Sequence, residues 1–177
     1  MSDADLMRRF QSDDSKAFEE LFDRYNQRIL GFFIKFFGNR EEAEDLCQDL
    51  FIRLVDRKHQ FDLNKSFTPW LFTIASNMAK TYISKERRLR FADLEEDAHE
   101  EAISEDRNNL KLEIRSAVMQ LDAVHKSTFI LRHYTSLSIK EISAIQECKE
   151  GTVKSRLFTA NRKIRELMNK QETYYNS

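Results

Sequence analysis

Apolar side chains recur every three or four residues along most of this chain, and three glycines and one proline in 177 residues leave few places to break that period. A strand buries every second residue, whereas spacings of three and four align side chains along one stripe of a helix. The stripe is plainest through Ala17, Phe18, Leu21, Phe22, Tyr25, Ile29, Phe32, Phe33 and Phe36. The chain is expected to be all-α, and its 14 phenylalanines point to aromatic cores.

Helix start and stop signals divide the first half. Asp13 or Asp14 can cap a first helix, and Gly38-Asn39 stops it. Asn39 caps a second, with Glu42 placed as in a capping box. Its inward face is Ala43, Leu46, Cys47, Leu50, Phe51, Leu54 and Val55. Acids open this helix and Arg53, Arg57 and Lys58 close it, which suits the helix dipole. Residues 59–67 read as a loop. Thr68 as cap and Pro69 at the first helical position start a third helix that runs to about Arg88. Leu71, Ile74, Ala75, Met78, Tyr82 and Ile83 face inward, and Lys80, Lys85, Arg87, Arg88 and Arg90 make its end basic.

The formal net charge of −1 hides a strong asymmetry. Asp93, Glu95, Glu96, Asp97, Glu100, Glu101, Glu105 and Asp106 crowd a stretch without apolar period, so residues 91–106 read as a flexible acidic linker. Helical periodicity returns with Leu110, Ile114, Ala117, Val118 and Leu121, then with Phe129, Ile130 and Tyr134. Two small helical domains are therefore expected, residues 1–90 and 107–177.

Residues 138–168 carry a helix-turn-helix pattern. Ser138 caps a supporting helix, with Glu141 as the capping-box acid and Ile139, Ile142 and Ile145 inside. Cys148 packs in a tight turn near Glu147. A second helix from about residues 150–152 buries Val153, Leu157, Ala160, Ile164 and Leu167 or Met168. Its other face holds Thr152, Lys154, Ser155, Phe158, Thr159 and Arg162, with Arg156 and further bases nearby. In such a motif the start of the second helix reaches base edges and the later bases meet phosphates. Lysine can donate to guanine, and Phe158 can touch a thymine methyl.

Other chemistry finds little support. His59, His99, His125 and His133 form no metal-ligand spacing with each other or with the cysteines, so no metal, cofactor or catalytic centre is expected. No phosphate-binding glycine loop is present. Cys47 and Cys148 occupy apolar positions and read as thiols in a reducing cytoplasm. The first ten residues lack the apolar run of a signal peptide, and the apolar stretch around residues 32–37 is too short to insert in a membrane.

The motifs together resemble those of the extracytoplasmic-function sigma factors, over about residues 10–170. Glu141-Ile142 followed by Gly151-Thr152-Val153-Lys154-Ser155-Arg156-Leu157 resembles the family's domain 4. Ala43-Glu44-Asp45-Leu46-Cys47-Gln48-Asp49-Leu50-Phe51 resembles its polymerase-binding segment. Phe67-Thr68-Pro69-Trp70-Leu71 with Ile74-Ala75 and Asn77 resembles its promoter-melting segment.

The resemblance implies a cytoplasmic subunit that gives core RNA polymerase its promoter specificity. Domain 4 would read the −35 duplex through Thr152, Lys154, Ser155, Arg156, Phe158, Thr159 and Arg162. Domain 2 would hold the melted −10 strand through Asn64, Lys65, Ser66, Phe67, Trp70, Asn77, Lys80, Arg87 and Arg88. Asp45, Gln48 and Asp49 would meet the largest catalytic subunits. Trp70 can equally be core. The acidic linker can mimic nucleic acid in the polymerase or be plainly disordered. The family also implies an anti-sigma factor. Glu147, where many relatives have a small residue, and Thr159, where many have arginine, depart from the pattern.

Two alternatives stay open on residues alone. A free-standing helix-turn-helix regulator would be a symmetric dimer, yet no heptad or extra helix follows Lys170, so no homo-oligomer is expected. A helical adaptor would leave the basic face unused.

Overall fold

The computed structural model describes the backbone of residues 1–92 and 109–175, and the side chains of residues 1–85 and 110–169. The described residues are helical and contain no strand. The order is α1 (Asp3–Gln11), α2 (Ser15–Phe37), α3 (Arg40–Arg57), a 3-10 turn (Lys58–Gln60), α4 (Phe67–Ala92), α5 (Asn109–Met119), α6 (Ala123–His133), α7 (Ile139–Ile145) and α8 (Glu150–Tyr175). Residues 91–92, expected in the linker, close α4. The remaining linker residues 93–106 lie outside the described residues.

Helix α1 is an addition to the sequence reading. At nine residues it is too short for periodicity to reveal. Its signal is the cap: Ser2 accepts from the Asp5 backbone N–H, and the Asp5 carboxylate accepts from the Ser2 N–H. Leu6, Met7 and Phe10 then face the core.

The other caps follow the sequence. Asp14 caps α2, accepting from the Lys16 N–H, and Asn39 caps α3, accepting from Glu41 and Glu42. Gly38 ends α2 at φ +77°, where a side chain would be strained, and donates its N–H to the Ile34 carbonyl at 2.9 Å. Helix α4 starts at Phe67, so Thr68 lies inside it, with its hydroxyl shared with Tyr25 at 2.8 Å.

Four expected inward residues face solvent. Phe22 on α2 and Val55 on α3 are both exposed. Phe22 rests one ring edge on Phe51, with centroids 4.7 Å apart. Val55 follows buried Leu54 by one residue, a turn of about 100° around the helix. Leu110 precedes the packed part of α5. Tyr134 follows the end of α6, its ring beneath Lys35 Nζ at 4.9 Å.

The two halves pack on each other. Helix α2 touches α5 and α6 as well as α1, α3 and α4, and α4 touches α7, so one apolar core runs through both halves. Polar bonds cross the junction. Arg115 donates to the Gly38 carbonyl at 2.7 Å, and Arg28 donates to the Thr135 carbonyl at 3.3 Å. Lys126 is only 6% exposed. Its ammonium lies 5.5 Å from the Phe36 ring centre and 3.5 Å from the Phe36 carbonyl oxygen. Burying a lysine demands such partners, and a helical period does not announce it.

The glycines yield a paired expectation. A Cβ on Gly31 meets nothing within 4 Å, whereas one on Gly38 meets Met119 Cε at 3.3 Å and a left-handed backbone. Gly31→Ala should stabilise by about 0.5–1 kcal/mol and Gly38→Ala should destabilise by about 1–2 kcal/mol. Thermal and urea unfolding measure both, and shifts of equal sign would contradict this account.

Candidate nucleic-acid interface

The helix-turn-helix forms where its caps place it. Ser138 Oγ accepts from the Glu141 N–H at 3.2 Å, and the Glu141 carboxylate accepts from the Ser138 N–H at 2.8 Å. Helix α7 gives way to a turn in which Glu147 takes φ +49°. The chain thus keeps the left-handed turn without a glycine, at a cost of about 1–2 kcal/mol. The Cys148 N–H donates to the Ser143 carbonyl at 3.1 Å, and the Ser143 hydroxyl donates to the Cys148 carbonyl at 2.6 Å. Ile142, Ile145, Val153, Ala160 and Ile164 fill the angle between α7 and α8.

Burying that stripe turns Thr152, Lys154, Ser155, Phe158 and Arg162 outward. Phe158 is 70% exposed. A large aromatic in water amid bases has no packing reason here, and it suits contact with a base methyl or sugar. Arg162 is exposed beside Glu166 at 3.7 Å, and Thr159 is half-buried. Arg156 is turned inward. It donates to the Gln146 carboxamide oxygen at 2.7 Å and to Cys148 Sγ at 3.5 Å, while Gln146 Nε2 donates to Thr128 Oγ1 at 2.9 Å. Arg156, expected to contact DNA, is half-buried, and it braces α8 against the turn and α6.

A second polar surface lies between the 3-10 turn and α4. Asp62 organises this loop: its carboxylate accepts from the Asn64 backbone N–H at 3.0 Å and from the Asn64 side chain at 3.1 Å. Those bonds hold the Asp62 carboxyl below the usual carboxylate range. Asp62 was not anticipated, although Asp-x-Asn is a side-chain turn signal. Asn64, Lys65 and Ser66 are left exposed.

Phe67, expected among them, is 3% exposed and packs on Tyr25 and Phe61. It supports the loop from beneath. Trp70 is half-buried, with centroids 5.1 Å from Phe61 and 6.0 Å from Phe67. Further along α4, Asn77 is exposed and Lys80 half-buried. Arg87 and Arg88 belong to α4, but their side chains lie outside the described residues.

A third surface runs along α3. Asp45, Gln48 and Asp49 are exposed on one face, and Ile52 and Val55 continue it one turn further. Ile52 is 60% exposed. The spacing of three and four, extended beyond Asp49, reaches these apolar neighbours.

Fold and surfaces define a helical DNA-binding protein with a C-terminal helix-turn-helix and a second polar loop in its other half. Residues 21–89 match Sigma-70 region 2, and residues 111–164 match Sigma-70, region 4. The chain is 32% identical over 176 residues to the RNA polymerase sigma-H factor of Pseudomonas aeruginosa, covering 92% of this chain and 91% of that one. It is 32% identical over 178 residues to the ECF RNA polymerase sigma-E factor of Escherichia coli K12, covering 93% of each. Among solved structures, the sigma factor RpoE in complex with the anti-sigma factor NepR from Bartonella quintana matches with a TM-score of 0.74 at 25% identity. That match covers 87% of this chain and 98% of the other. The chain belongs to the extracytoplasmic-function sigma factors of the sigma-70 family, and it directs transcription initiation by RNA polymerase.

The strained turn gives a direct test. Glu147→Gly should raise stability by about 1 kcal/mol, because glycine takes a left-handed backbone freely. Differential scanning calorimetry checks it. An unchanged or lower melting temperature would show that Glu147 is not strained.

Proposed function

We propose that residues 107–177 read the −35 duplex through α8, and that residues 1–90 bind core polymerase and hold the melted −10 strand, with residues 91–106 joining them. The observation that carries this reading is the outward row of α8, with Lys154, Ser155 and Phe158 exposed together. Lys154 and Ser155 near the helix start suit base edges, and Arg162 farther along suits phosphate. Asn64, Lys65 and Ser66 in the loop offer donors and acceptors to the edge of an unstacked base, with Asn77 and Lys80 on the following helix α4. On α3, the carboxylates of Asp45 and Asp49 and the apolar Ile52 suit a basic partner helix on the largest polymerase subunits.

The docked halves cannot read both elements at once. Helices α4 and α8 both touch α7, so their axes approach within about two interhelical spacings, roughly 20 Å, and even the whole length of α4, about 39 Å, adds too little to reach the promoter spacing. The −10 and −35 elements are about 25 base pairs apart, roughly 85 Å of B-form duplex. Binding both therefore requires the halves to separate across the Arg115–Gly38 and Arg28–Thr135 bonds. The RpoE–NepR complex supports an anti-sigma partner for this chain too, acting on it in the cytoplasm. No helix of the described residues is long and apolar enough to cross a membrane.

Reconstituted transcription tests this reading. Lys154→Glu should lower initiation at a −35-dependent promoter tenfold or more while core affinity holds, since one good base contact contributes about 1–3 kcal/mol. Asp49→Lys should lower core affinity instead. Unchanged initiation with Lys154→Glu would remove α8 as the reader.

A further inference from the structure

The loop assigned to the −10 strand is short, and both of its ends are tied to α1. At the near end, Gln11 Nε2 donates to the carbonyls of Lys58 at 2.8 Å and Phe61 at 3.0 Å. Both N–H groups of one carboxamide are thus spent on the backbone that enters the loop. Lys58 is held a second time, by its ion pair with Asp13 just beyond α1, and its ammonium lies 5.2 Å from the Phe10 ring centre.

At the far end, Asp3 accepts from the Tyr25 hydroxyl, and that hydroxyl meets Thr68 Oγ1 at 2.8 Å. A phenol has one proton and a carboxylate only accepts, so Thr68 donates to Tyr25. Burial and the bond to Asp3 push the Tyr25 hydroxyl up to about 12, which keeps it protonated. The Tyr25 ring also packs edge-on against Phe67 at 5.1 Å. Arg24 holds Asp3 in place at 2.9 Å.

None of these polar groups is needed to form α1, which Ser2 and Asp5 already cap. Leu6, Met7 and Phe10 alone would dock it. Gln11 and Asp3 act at opposite ends of the helix, on opposite ends of the same loop.

We propose that α1 is a positioning clamp for the −10 reading loop, with Gln11 and the Asp3–Tyr25–Thr68 chain fixing the two ends between which Asn64, Lys65 and Ser66 meet the unpaired strand. The inference rests on the loop assignment made under Proposed function. A flipped base is selected by donors and acceptors held within about half an ångström, so slack at either end blurs selection without removing the contacting residues. Gln11, Asp3 and Tyr25 touch no DNA in this account.

The test is transcription by the reconstituted holoenzyme from a template pool randomised at the −10 and −35 elements, with transcripts sequenced. Gln11→Ala combined with Tyr25→Phe should lower the preference for the best −10 base about fivefold, the weight of one net hydrogen bond. Preference at −35 and affinity for core polymerase should stay unchanged. Asp3→Ala, at a partly exposed position, serves if the double variant fails to fold, as judged by the emission of the single tryptophan, Trp70. Equal losses at both elements, or no loss at either, would overturn the clamp. Asn64→Ala separates the two ideas. If it lowers −10 preference and the clamp variants do not, the clamp alone falls. If it leaves −10 preference intact, the loop assignment falls and takes the clamp with it.

Discussion

The aromatic face of α2 has to be covered on more sides than any one helix can cover. Phe32, Phe33 and Phe36 are fully buried within one turn, and Ile29 and Leu21 extend the stripe toward the start of the helix. Each buried phenylalanine removes a large apolar area from water, and close packing requires neighbours on every side. Helices α1, α3 and α4 cover one part, and α5 and α6 cover the other. The same helix therefore organises the half that matches Sigma-70 region 2 and docks the half that matches Sigma-70, region 4. Gly38 ends α2 where both halves meet, its carbonyl capped by Arg115 from α5.

The proposed reading of both promoter elements requires that junction to part. Its apolar contacts are accompanied by arginine and lysine bonds to backbone carbonyls, groups that water satisfies well once they are exposed. Lys126 is the telling residue: it is buried against Phe36 in the docked structure, and separation would return its ammonium to water. The stretch that joins the halves in sequence is acidic.

Much of this was legible in the sequence because caps and apolar periods are local signals. Asp14, Asn39 and Ser138 cap helices where the sequence places them, and the Ile142–Val153 core of the helix-turn-helix follows its spacing. What was missed depends on residues distant in the chain. Helix α1 is too short to show a period. The docking of the halves rests on single polar contacts such as Arg28 to Thr135, which no periodic pattern encodes. Within the candidate site, residue type proved a poorer guide than orientation. Phe67 carries the right chemistry for DNA, yet it packs beneath the loop, and Arg156 spends part of its guanidinium on bracing the turn. Asp62, which shapes that loop, and Ile52, beside the acidic row, lay just outside the recognised motifs.

As proposed, one chain places two separate readers on one promoter, at a spacing it reaches only when its halves part. Photo-crosslinking states that most directly. A crosslinking residue substituted at Asn64, and another at Phe158, are mapped onto promoter DNA in the complete polymerase complex. The expected result is one set of crosslinks at the −10 element and one about 25 base pairs upstream, roughly 85 Å away on B-form duplex, both dependent on core polymerase. Crosslinks from both positions to the same element, or an equal pattern without polymerase, would contradict it.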